Sequence, residues 1–514
     1  MKKTLIVIMA ILAMVVNSSS QNEAEGKLEF ESIQGVKARN VIFILSDDHR
    51  WDYMGFTGKI PWLKTPAMDQ LAQQGVFCRN TYVTTSLCSP SRASILTGLY
   101  SHSHQVVDNQ APVPNDLVFF PQYIQDAGFK TAFFGKWHMG DHNDDPRPGF
   151  NHWESFMGQG TYYSPKLNIN GERVQYSDST YITDLLTEHA IDWMDQQDSK
   201  EPFFIYLSHK AVHAGFDPAV RHRGLYENET YTHPASYTMT ASDKVSSLKQ
   251  ENLHSPDYNY GEGNLPDWVK EQRYSWHGVD YMYHMEDSNL EWLVKRYCEA
   301  LMAVDESIAS IMDYLEANGM LESTMVIYMG DNGFSFGEHG LIDKRHFYEE
   351  SAKVPLLIHC PEQFKGDQVE EHLVQNIDIA PTILESFGIQ KPENMQGSSL
   401  LPLLKGEEPD WRDRVFYEYY WEHHFPQTPT VHGVRTDKYK LMRYFGVWDR
   451  NELYDMENDP EEMNNLIDSP EHHQVVVDLT NEIYDWLEST DGMQIPLKRV
   501  TEDRFGDYRN IRVY

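Results

Sequence analysis

Five short runs of apolar residues constrain the fold of this chain more than any other feature of its sequence. They occupy residues 41–45, 131–134, 203–207, 325–329 and 354–358. Because none alternates between apolar and polar residues, each predicts a parallel strand buried on both faces, although Pro355 weakens the start of the last one. Helical patterns lie between the strands, at residues 65–74, 181–196 and 292–318. Strands and helices in alternation predict an α/β fold, with a mixed, mostly parallel sheet flanked by helices.

The composition supports a large globular protein and excludes several kinds of partner. Forty per cent of the 514 residues are hydrophobic, which is enough for a large core and excludes a disordered or fibrous chain. The net charge of −35 argues against nucleic acid and anionic membranes as main partners, because both would be repelled. An anionic substrate would therefore need a local basic pocket. Four cysteines are too few for a disulfide framework.

The N-terminus has the pattern of a secretory signal peptide, which we predict over residues 1–20. Two lysines precede an apolar run at residues 5–16, and Ser18 and Ser20 supply small side chains before a cleavage point. We expect an exported protein, periplasmic or secreted, and an uncleaved N-terminal anchor is the alternative. No other segment of the sequence has the ~18 consecutive apolar residues that a membrane span requires.

The pattern changes along the chain and predicts two structural units, a catalytic domain at residues 38–405 and a C-terminal subdomain at residues 406–514. Within the first unit, residues 217–286 are polar, rich in Tyr, His, Pro and Gly, and poorly periodic. They predict a long insertion over the sheet edge that forms part of a pocket rim. The second unit has the pattern of a small α+β subdomain with an antiparallel sheet. Its strands and helix are predicted at residues 414–420, 432–444 and 474–488.

Polar side chains follow four of the apolar runs directly. They are Asp47 and Asp48, then Lys136 and His138, then His209 and His213, and finally Asp331 and Asn332. Turn chemistry explains any one of these groups equally well. Because ligands bind at the carboxyl ends of the strands in open parallel sheets, the four groups together predict a site at that edge.

Four of these residues offer only oxygen ligands that suit a hard cation. Asp47, Asp48, Asp331 and Asn332 provide three carboxylates and one amide. Such a set favours Ca²⁺, with Mg²⁺ as the alternative, over Zn²⁺, which prefers His and Cys. A helix cap and a solvated acid would also explain the first pair, but would not predict a second Asp-Asn pair at another strand end.

The segment at residues 85–98 is the most informative in the chain. Pro90 suits the first turn of a helix and Gly98 suits its end, so Cys88 is predicted at the helix N-terminus. Free N–H groups and the helix dipole favour anions at that position. A buried structural thiol is the alternative for Cys88 alone.

With these residues the sequence resembles the formylglycine-dependent sulfatases of the alkaline phosphatase-like superfamily. Cys88-Ser89-Pro90-Ser91-Arg92 matches the C-x-P-S-R signature of that family, and Gly135-Lys136-Trp137-His138 matches its second signature. The two acidic pairs match the family's metal site, and residues 337–341 with Lys344 match the segment that follows. The resemblance covers roughly residues 38–466 and implies an alkaline phosphatase-like fold.

The resemblance also implies a mechanism. Cys88 is expected to be oxidised by a maturation enzyme to formylglycine, whose hydrate attacks the sulfate ester and forms a sulfo-enzyme intermediate. The bound Ca²⁺ would contact this residue and a sulfate oxygen. The remaining roles implied are sulfate binding by Lys136 and Lys344, proton donation by His213, proton removal by His138, and orientation of the hydrate by Arg92.

One departure from the family pattern concerns the leaving-group histidine. Many members have a proline beside it, whereas this chain reads His209-Lys210-Ala211-Val212-His213. We assign the role to His213 and expect His209 to pack or to support the site.

Within the family, this segment and residues 218–222 and 426–432 look most like bacterial N-acetylglucosamine-6-sulfatases, which act on host glycans such as mucin or glycosaminoglycan fragments. The C-terminal subdomain is expected to supply specificity residues, with His423, His424 and Arg435 as candidates. Trp276 in the insertion is a candidate for stacking on sugar.

Three other functions stay open on the sequence. The first is a sulfatase for another sulfated sugar, and the second is a phosphomonoesterase or phosphodiesterase of the same superfamily. The third is a non-catalytic glycan-binding protein in which Cys88 remains a thiol.

Overall fold

The computed structural model describes residues 27–140, 143–198, 201–237, 266–272, 277–279, 290–422, 425, 427–446 and 449–496. In chain order its strands are β1 (Asn40–Ser46), β2 (Val76–Cys78), β3 (Thr81–Tyr82), β4 (Lys130–Lys136), β5 (His152–Phe156), β6 (Lys166–Ile169), β7 (Glu172–Gln175), β8 (Phe203–Ser208), β9 (Thr324–Gly330), β10 (Ser335–Phe336), β11 (Ile342–Asp343), β12 (Leu356–His359), β13 (Gln368–Glu370), β14 (Val374–Gln375), β15 (Arg414–Tyr419), β16 (Thr430–Thr436), β17 (Tyr439–Phe445) and β18 (Glu452–Asp455). Ten of them form one mixed sheet, in the order β13-β2-β12-β9-β1-β8-β4-β5-β6-β7.

The centre of this sheet is parallel, as predicted. Strands β9, β1, β8, β4 and β5 run in one direction, and Ile42 of β1 lies opposite Ile205 of β8 and Val326 of β9. All seven residues of β1 and of β9 are buried, which explains why their sequences show no polar alternation. The first four apolar runs all lie within these central strands.

The fifth apolar run was predicted as another parallel strand, and that orientation is wrong. Strand β12 begins at Leu356, after Pro355, and pairs antiparallel with both β9 and β2. A continuous apolar run indicates burial on both faces but carries no information about strand direction. Pro355 cannot donate a ladder hydrogen bond, which agrees with its place just before the strand.

Helices cover both faces of the sheet. They are α1 (Pro66–Gln74), α2 (Cys88–Thr97), α3 (Ser101–His104), α4 (Phe120–Asp126), α5 (Ile182–Asp195), α6 (Asp267–Gln272), α7 (Leu290–Ala317), α8 (Glu349–Ala352), α9 (Ile379–Ser386), α10 (Leu401–Leu404) and α11 (His473–Ser489). The helices predicted at residues 65–74, 181–196, 292–318 and 474–488 are confirmed as α1, α5, α7 and α11. Within the described ranges, none of the helices is both long and apolar enough to cross a membrane.

Alternate residues of β1 serve the two faces. Ile42 and Ile44 pack into the core beneath α1, α5 and α7, whereas Val41, Phe43 and Leu45 pack into the core beneath α2, α4 and α9. Each of these fully buried side chains contributes roughly 1.5–3 kcal/mol through loss of contact with water. The central strands are therefore held rigidly from both sides, which fixes the positions of the residues at their ends.

The C-terminal part carries the predicted antiparallel sheet, in the order β15-β16-β17-β18. Residues 432–444, predicted to belong to the antiparallel strands, form most of a hairpin, in which β16 ends at Thr436 and β17 begins at Tyr439. Helix α11 packs on β16. Tyr417 and Val431 of this sheet share a core with Leu87, the residue just before Cys88. The C-terminal sheet thus supports the start of α2, and the boundary between residues 405 and 406 stays a prediction.

Two described parts of the insertion, residues 266–272 and 277–279, contact the segment after β9 and the C-terminal part of the chain. The carbonyl of His277 accepts a hydrogen bond from the Ile342 N–H at 2.6 Å, and the Trp268 N–H donates to Asp449 at 2.8 Å. These contacts place the two parts against the segment that follows β9 and beside the loop between β17 and β18.

A buried polar cluster joins the two parts of the molecule. Lys440 of β17 lies 2.6 Å from a Glu349 oxygen and 2.8 Å from a Glu462 oxygen. Ligand atoms of Glu462, Glu350 and His339 lie within 4.8 Å of one another. Because Lys440 already supplies positive charge to these carboxylates, we assign the cluster a structural role rather than metal binding.

Replacing Glu350 with glutamine is expected to remove a pH-dependent loss of stability. Burial, then the charges of Glu338 and Glu462, raise the pKa of Glu350 well above its ordinary value of 4.5. The folded state therefore holds a proton that the unfolded state releases, and the stability of the native protein falls as the pH rises above that value. We expect the variant's Tm to match the native protein at pH 5 and to exceed it by roughly 1–3 °C at pH 8.

Thermal unfolding across this pH range checks the prediction, with Glu316→Gln on the exposed side of α7 as the matched control. A variant as pH-sensitive as the native protein would show that Glu350 is ionised in the folded state.

Candidate active site

The site is built where the central strands end, because the loops that follow β1, β8 and β9 are bonded to one another. The Asp47 N–H donates to the Ala211 carbonyl at 2.9 Å, and the Val212 N–H donates back to the Asp47 carbonyl at 2.7 Å. The Asp331 N–H donates to the Ser46 carbonyl at 3.0 Å. These bonds bring three of the four predicted groups of polar residues together.

The fourth group reaches the site through a close approach of β4 to β8. Gly135 has φ of 111°, and a side chain there would place its Cβ 1.9 Å from the Ser208 carbonyl oxygen. Only glycine therefore permits this spacing. Lys136, the next residue, consequently directs its buried side chain to Asp47.

The acidic residues converge on one point. Carboxylate oxygens of Asp47, Asp48 and Asp331 lie within 4.8 Å of one another, and all three residues are fully buried. The Asn332 amide donates to Asp48 Oδ1 at 2.7 Å. Asp48 has a positive φ of 57°, a conformation that strains a non-glycine residue and is commonest at functional sites.

This donor set fits a divalent cation. Asp48 Oδ2 and Asn332 Oδ1 are buried, and no described residue donates a hydrogen bond to either oxygen. A buried oxygen without a donor costs about 1–3 kcal/mol, which coordination to a cation would offset. Hard oxygen donors of this kind favour Ca²⁺ or Mg²⁺.

Cys88 lies at the start of α2 with its sulfur inside this cluster. Its Sγ is 3.4 Å from Asp47 Oδ1 and 3.4 Å from the Lys344 amine. Burial, followed by the charge of Asp47, raises the pKa of the Cys88 thiol. An unmodified Cys88 would therefore stay a neutral thiol, which is a poor nucleophile.

Three buried cations surround the acidic residues. Lys136 pairs with Asp47 and Lys344 pairs with Asp48. Arg92, one turn along α2 from Cys88, donates from Nε to Asp331 at 2.9 Å and from Nη1 to the Ser208 hydroxyl at 2.6 Å. This is the local basic pocket that an acidic protein needs for an anionic substrate.

The carboxylates respond to these charges in different ways. Burial alone would raise the pKa of Asp47, but Lys136 and other nearby cations hold it well below its usual range. Burial and the charge of Asp47 raise the pKa of Asp331 to about 7. Negative charge is thus concentrated on Asp47, beside the Cys88 sulfur.

The two histidines after β8 point in different directions. His213 Nε2 lies 4.0 Å from Asp48 Oδ2, and the site-facing atoms of His213, Asp47 and Cys88 lie within 4.8 Å of one another. His209 instead bonds through Nε2 to the Ser307 hydroxyl of α7 at 2.9 Å, and burial lowers its pKa to about 3. This geometry favours His213 over His209 for chemistry.

His138 lies beside the start of α2. Its carbonyl accepts a hydrogen bond from the Ser89 hydroxyl, and its Nε2 lies 3.0 Å from the Gln159 amide nitrogen. The role of proton acceptor stays a prediction for this residue.

Three residues near the site were missed in the sequence. Tyr162 donates to the His213 carbonyl at 2.7 Å, and Gln159 contacts His138. Lys210 is 5% exposed, and burial together with Lys136 lowers its pKa to about 8. The position of Lys210 between His209 and His213 could have identified it as a site residue from the sequence. Tyr162 and Gln159 lie in a loop without a distinctive sequence pattern.

The structure does not support a role in substrate specificity for the candidate residues that it describes. Arg435 lies on β16 with its Nε 3.8 Å from Glu349, so its charge serves the polar cluster that joins the two parts of the chain. His423, His424 and Trp276 lie outside the described residues.

The chain belongs to the sulfatase family. The family model described as "Sulfatase" matches residues 39–389, and that described as "N-sulphoglucosamine sulphohydrolase, C-terminal" matches residues 337–489. The resemblance stated from the signatures is thereby confirmed, and the protein is a sulfuric ester hydrolase.

Relatives and solved structures agree with this assignment. An N-acetylglucosamine-6-O-sulfatase of Bacteroides thetaiotaomicron is 32% identical, over 85% of this chain and 84% of that protein. The human N-acetylglucosamine-6-sulfatase is 30% identical, over 77% of this chain and 70% of its own length. A protein solved with its substrate D-glucosamine-2-N,6-O-disulfate superposes with a TM-score of 0.76 at 30% identity, covering 90% of this chain and all of that one. The predicted alkaline phosphatase-like fold is thereby confirmed.

Proposed function

We propose that this protein removes the 6-O-sulfate from N-acetylglucosamine-type sugars of host glycans, such as mucin or glycosaminoglycan fragments. The observation that carries this specificity is the 32% identity to an N-acetylglucosamine-6-O-sulfatase across most of both chains. Export to the periplasm or beyond is part of the proposal, since residues 1–20 have a basic segment followed by an apolar one.

The proposal includes conversion of Cys88 to formylglycine by a maturation enzyme. The hydrate of that residue supplies one hydroxyl to attack sulfur and a second whose deprotonation allows sulfate to leave. The position of Cys88 supports this proposal, because its sulfur lies between a carboxylate and the Lys344 amine while burial keeps the thiol protonated.

Ca²⁺ is the proposed cofactor, with Mg²⁺ as the alternative, held by Asp47, Asp48, Asp331 and Asn332. When bound, the cation supplies positive charge beside the nucleophile and a sulfate oxygen. Arg92 keeps two of these carboxylates in place, through its 2.9 Å bond to Asp331 and its approach to Asp47 at 3.8 Å.

The remaining site residues handle the sulfate group and the protons. Lys136 and Lys344 are the proposed partners of the sulfate oxygens that carry charge in the transition state. His213 is the proposed donor of a proton to the departing sugar oxygen, and His138 the proposed acceptor from the second hydroxyl. Burial and Lys136 lower the pKa of His213, and an anionic ester in the site would oppose the effect of that lysine and favour the charged imidazole.

Two measurements test the function on protein from a host that carries the maturation enzyme. Sulfate release is compared for N-acetylglucosamine-6-sulfate, N-acetylglucosamine-3-sulfate and galactose-6-sulfate, with 4-nitrophenyl phosphate as the test of phosphatase activity. We expect the first substrate to give the highest kcat/KM. Peptide mass is expected to show a loss of about 18 Da at Cys88.

A higher kcat/KM on another sulfated sugar would show that this sugar is the preferred substrate and would leave the assignment as a sulfatase unchanged. An unmodified thiol together with sugar binding and no turnover would favour the glycan-binding alternative.

His213→Gln is expected to harm substrates with poor leaving groups most. We expect kcat/KM to fall by about 10³-fold for sugar 6-sulfates and by less than about tenfold for 4-nitrophenyl sulfate, because a nitrophenolate leaves without protonation. The matched control is His209→Gln in the same segment, whose ring contacts Ser307 rather than the site. An equal fall in kcat/KM on both substrates in His213→Gln would contradict the proposed role of His213 as proton donor.

A further inference from the structure

We propose that Lys210 binds a second anionic substituent of the substrate, on the side of the site where the sugar leaves. The substrates favoured would then be sugars that carry another sulfate, sulfamate or carboxylate group near the ester that is hydrolysed. This inference rests on the proposed sugar sulfatase function and adds a substrate class to it.

Lys210 is a buried cation that has no acidic partner among the described residues. It is 5% exposed, and its Nζ lies 4.8 Å from the centre of the Tyr162 ring. No described residue accepts a hydrogen bond from this amine or forms an ion pair with it. Burial and the charge of Lys136 lower the pKa of this amine and the charges of Asp47, Asp48 and Cys88 raise it, so Lys210 belongs to the electrostatic environment of the site.

The other cations of the site differ from Lys210 in this respect. Lys136, Lys344 and Arg92 each pair with a carboxylate of the proposed metal site. Burying a charge without a partner is costly, and a ring face offsets only about 1–2 kcal/mol of that cost. An anionic ligand would supply the missing partner.

The position of Lys210 indicates which part of the substrate it meets. Its carbonyl accepts the His213 N–H at 3.0 Å, so both residues belong to one turn after β8. Tyr162 closes that turn through its 2.7 Å bond to the His213 carbonyl. Because His213 is the proposed donor to the sugar oxygen, we expect Lys210 and Tyr162 to lie on the side of the site where the sugar leaves.

The hydrolysed sulfate has proposed cations of its own. Lys344 lies 3.4 Å from the Cys88 sulfur, and Lys136 pairs with Asp47 beside it. A point charge on a lysine suits the oxygens of sulfate, sulfamate or carboxylate alike. The three sources share this chemistry, and substrates can distinguish them.

The test compares Lys210→Met with the native enzyme on four substrates. Two carry a single anionic group, 4-nitrophenyl sulfate and N-acetylglucosamine-6-sulfate. Two carry a second one, D-glucosamine-2-N,6-O-disulfate and a 6-sulfated disaccharide with a uronic acid. Methionine keeps an unbranched apolar chain against Tyr162 and removes the charge.

In Lys210→Met we expect kcat/KM to fall by about 10- to 100-fold on at least one of the two doubly anionic substrates, mainly through a higher KM. On the two singly anionic substrates we expect kcat/KM to fall by less than about threefold. Whichever doubly anionic substrate loses most identifies the group that Lys210 binds. Lys210→Arg is expected to retain part of the preference.

The control is Lys353→Met, another buried lysine, whose amine lies 4.2 Å from the Trp51 ring and 3.0 Å from Asn80. It is expected to lower Tm without changing the ratio between substrates.

Equal losses on all four substrates would overturn the proposal and show that Lys210 serves the hydrolysed sulfate or positions His213. Unchanged kinetics on all four would overturn it as well. A native enzyme that cleaves 4-nitrophenyl sulfate but none of the sugars would instead contradict the proposed function.

Discussion

Cys88→Ala is expected to reduce kcat/KM by at least about 10⁴-fold on sugar and aryl sulfates alike, with little change in Tm. Removing a nucleophile eliminates the covalent step, and losses of this size or larger follow in other hydrolases. Stability should change little, because the Cys88 sulfur lies among Asp47 and Lys344 rather than in an apolar core. Steady-state kinetics and thermal unfolding on the same preparations measure both quantities.

The matched control for this variant is Cys78→Ala on β2, a second fully buried cysteine. Its side chain packs in the apolar core, so the control is expected to lose roughly 1–2 kcal/mol of stability and to keep its turnover. More than about 1% residual activity in Cys88→Ala would assign the nucleophile to another group.

Asp331→Asn is expected to weaken cation binding by at least about 100-fold while leaving the site folded. One oxygen of Asp331 accepts the Asp48 N–H at 2.9 Å and the other accepts Arg92 Nε at 2.9 Å, and the amide keeps only one acceptor. We expect activity to disappear at low Ca²⁺ and to return in part at high Ca²⁺. Titration of chelator and added Ca²⁺, with metal content by mass spectrometry, follows both effects.

Asp52→Asn provides the comparison for that experiment. Asp52 is also buried near the end of β1, but it pairs with Arg50 and offers nothing to the acidic cluster. Its variant should lose stability and retain the Ca²⁺ dependence of the native enzyme. The same chelator sensitivity in Asp331→Asn and in the native protein would contradict the metal site.

Much of the fold was predictable because burial on both faces leaves a mark in the sequence. Strands β1, β4, β8 and β9 are continuous apolar runs, and the polar residues that follow them had to meet once the strands were parallel. The direction of β12 was not predictable, since an apolar run is the same in either direction. Antiparallel strands were predicted within residues 432–444, but the turn between β16 and β17 was not located, because it is only two residues long.

The candidate site was predictable to the extent that its residues follow strands or belong to a family signature. The role of Arg435 was not predictable from the sequence. A charged residue in a subdomain strand has the same pattern whether it binds substrate or, as here, lies beside Glu349 in the core. Lys210 shows the converse, because only the three-dimensional arrangement reveals that none of the described acidic residues pairs with it.

The hydrogen bonds between the β8 loop and β1 have a consequence for how this enzyme can diversify. Asp47 is bonded to that loop through both its N–H and its carbonyl, so the backbone links a proposed metal ligand to the proposed proton donor. A backbone shift that adapted His213 to a new leaving group would also displace the cation site. Changes of substrate specificity are therefore expected to arise through side chains on the sugar side of the site, such as Lys210. The backbone of the loops that hold the proposed catalytic residues is expected to stay unchanged.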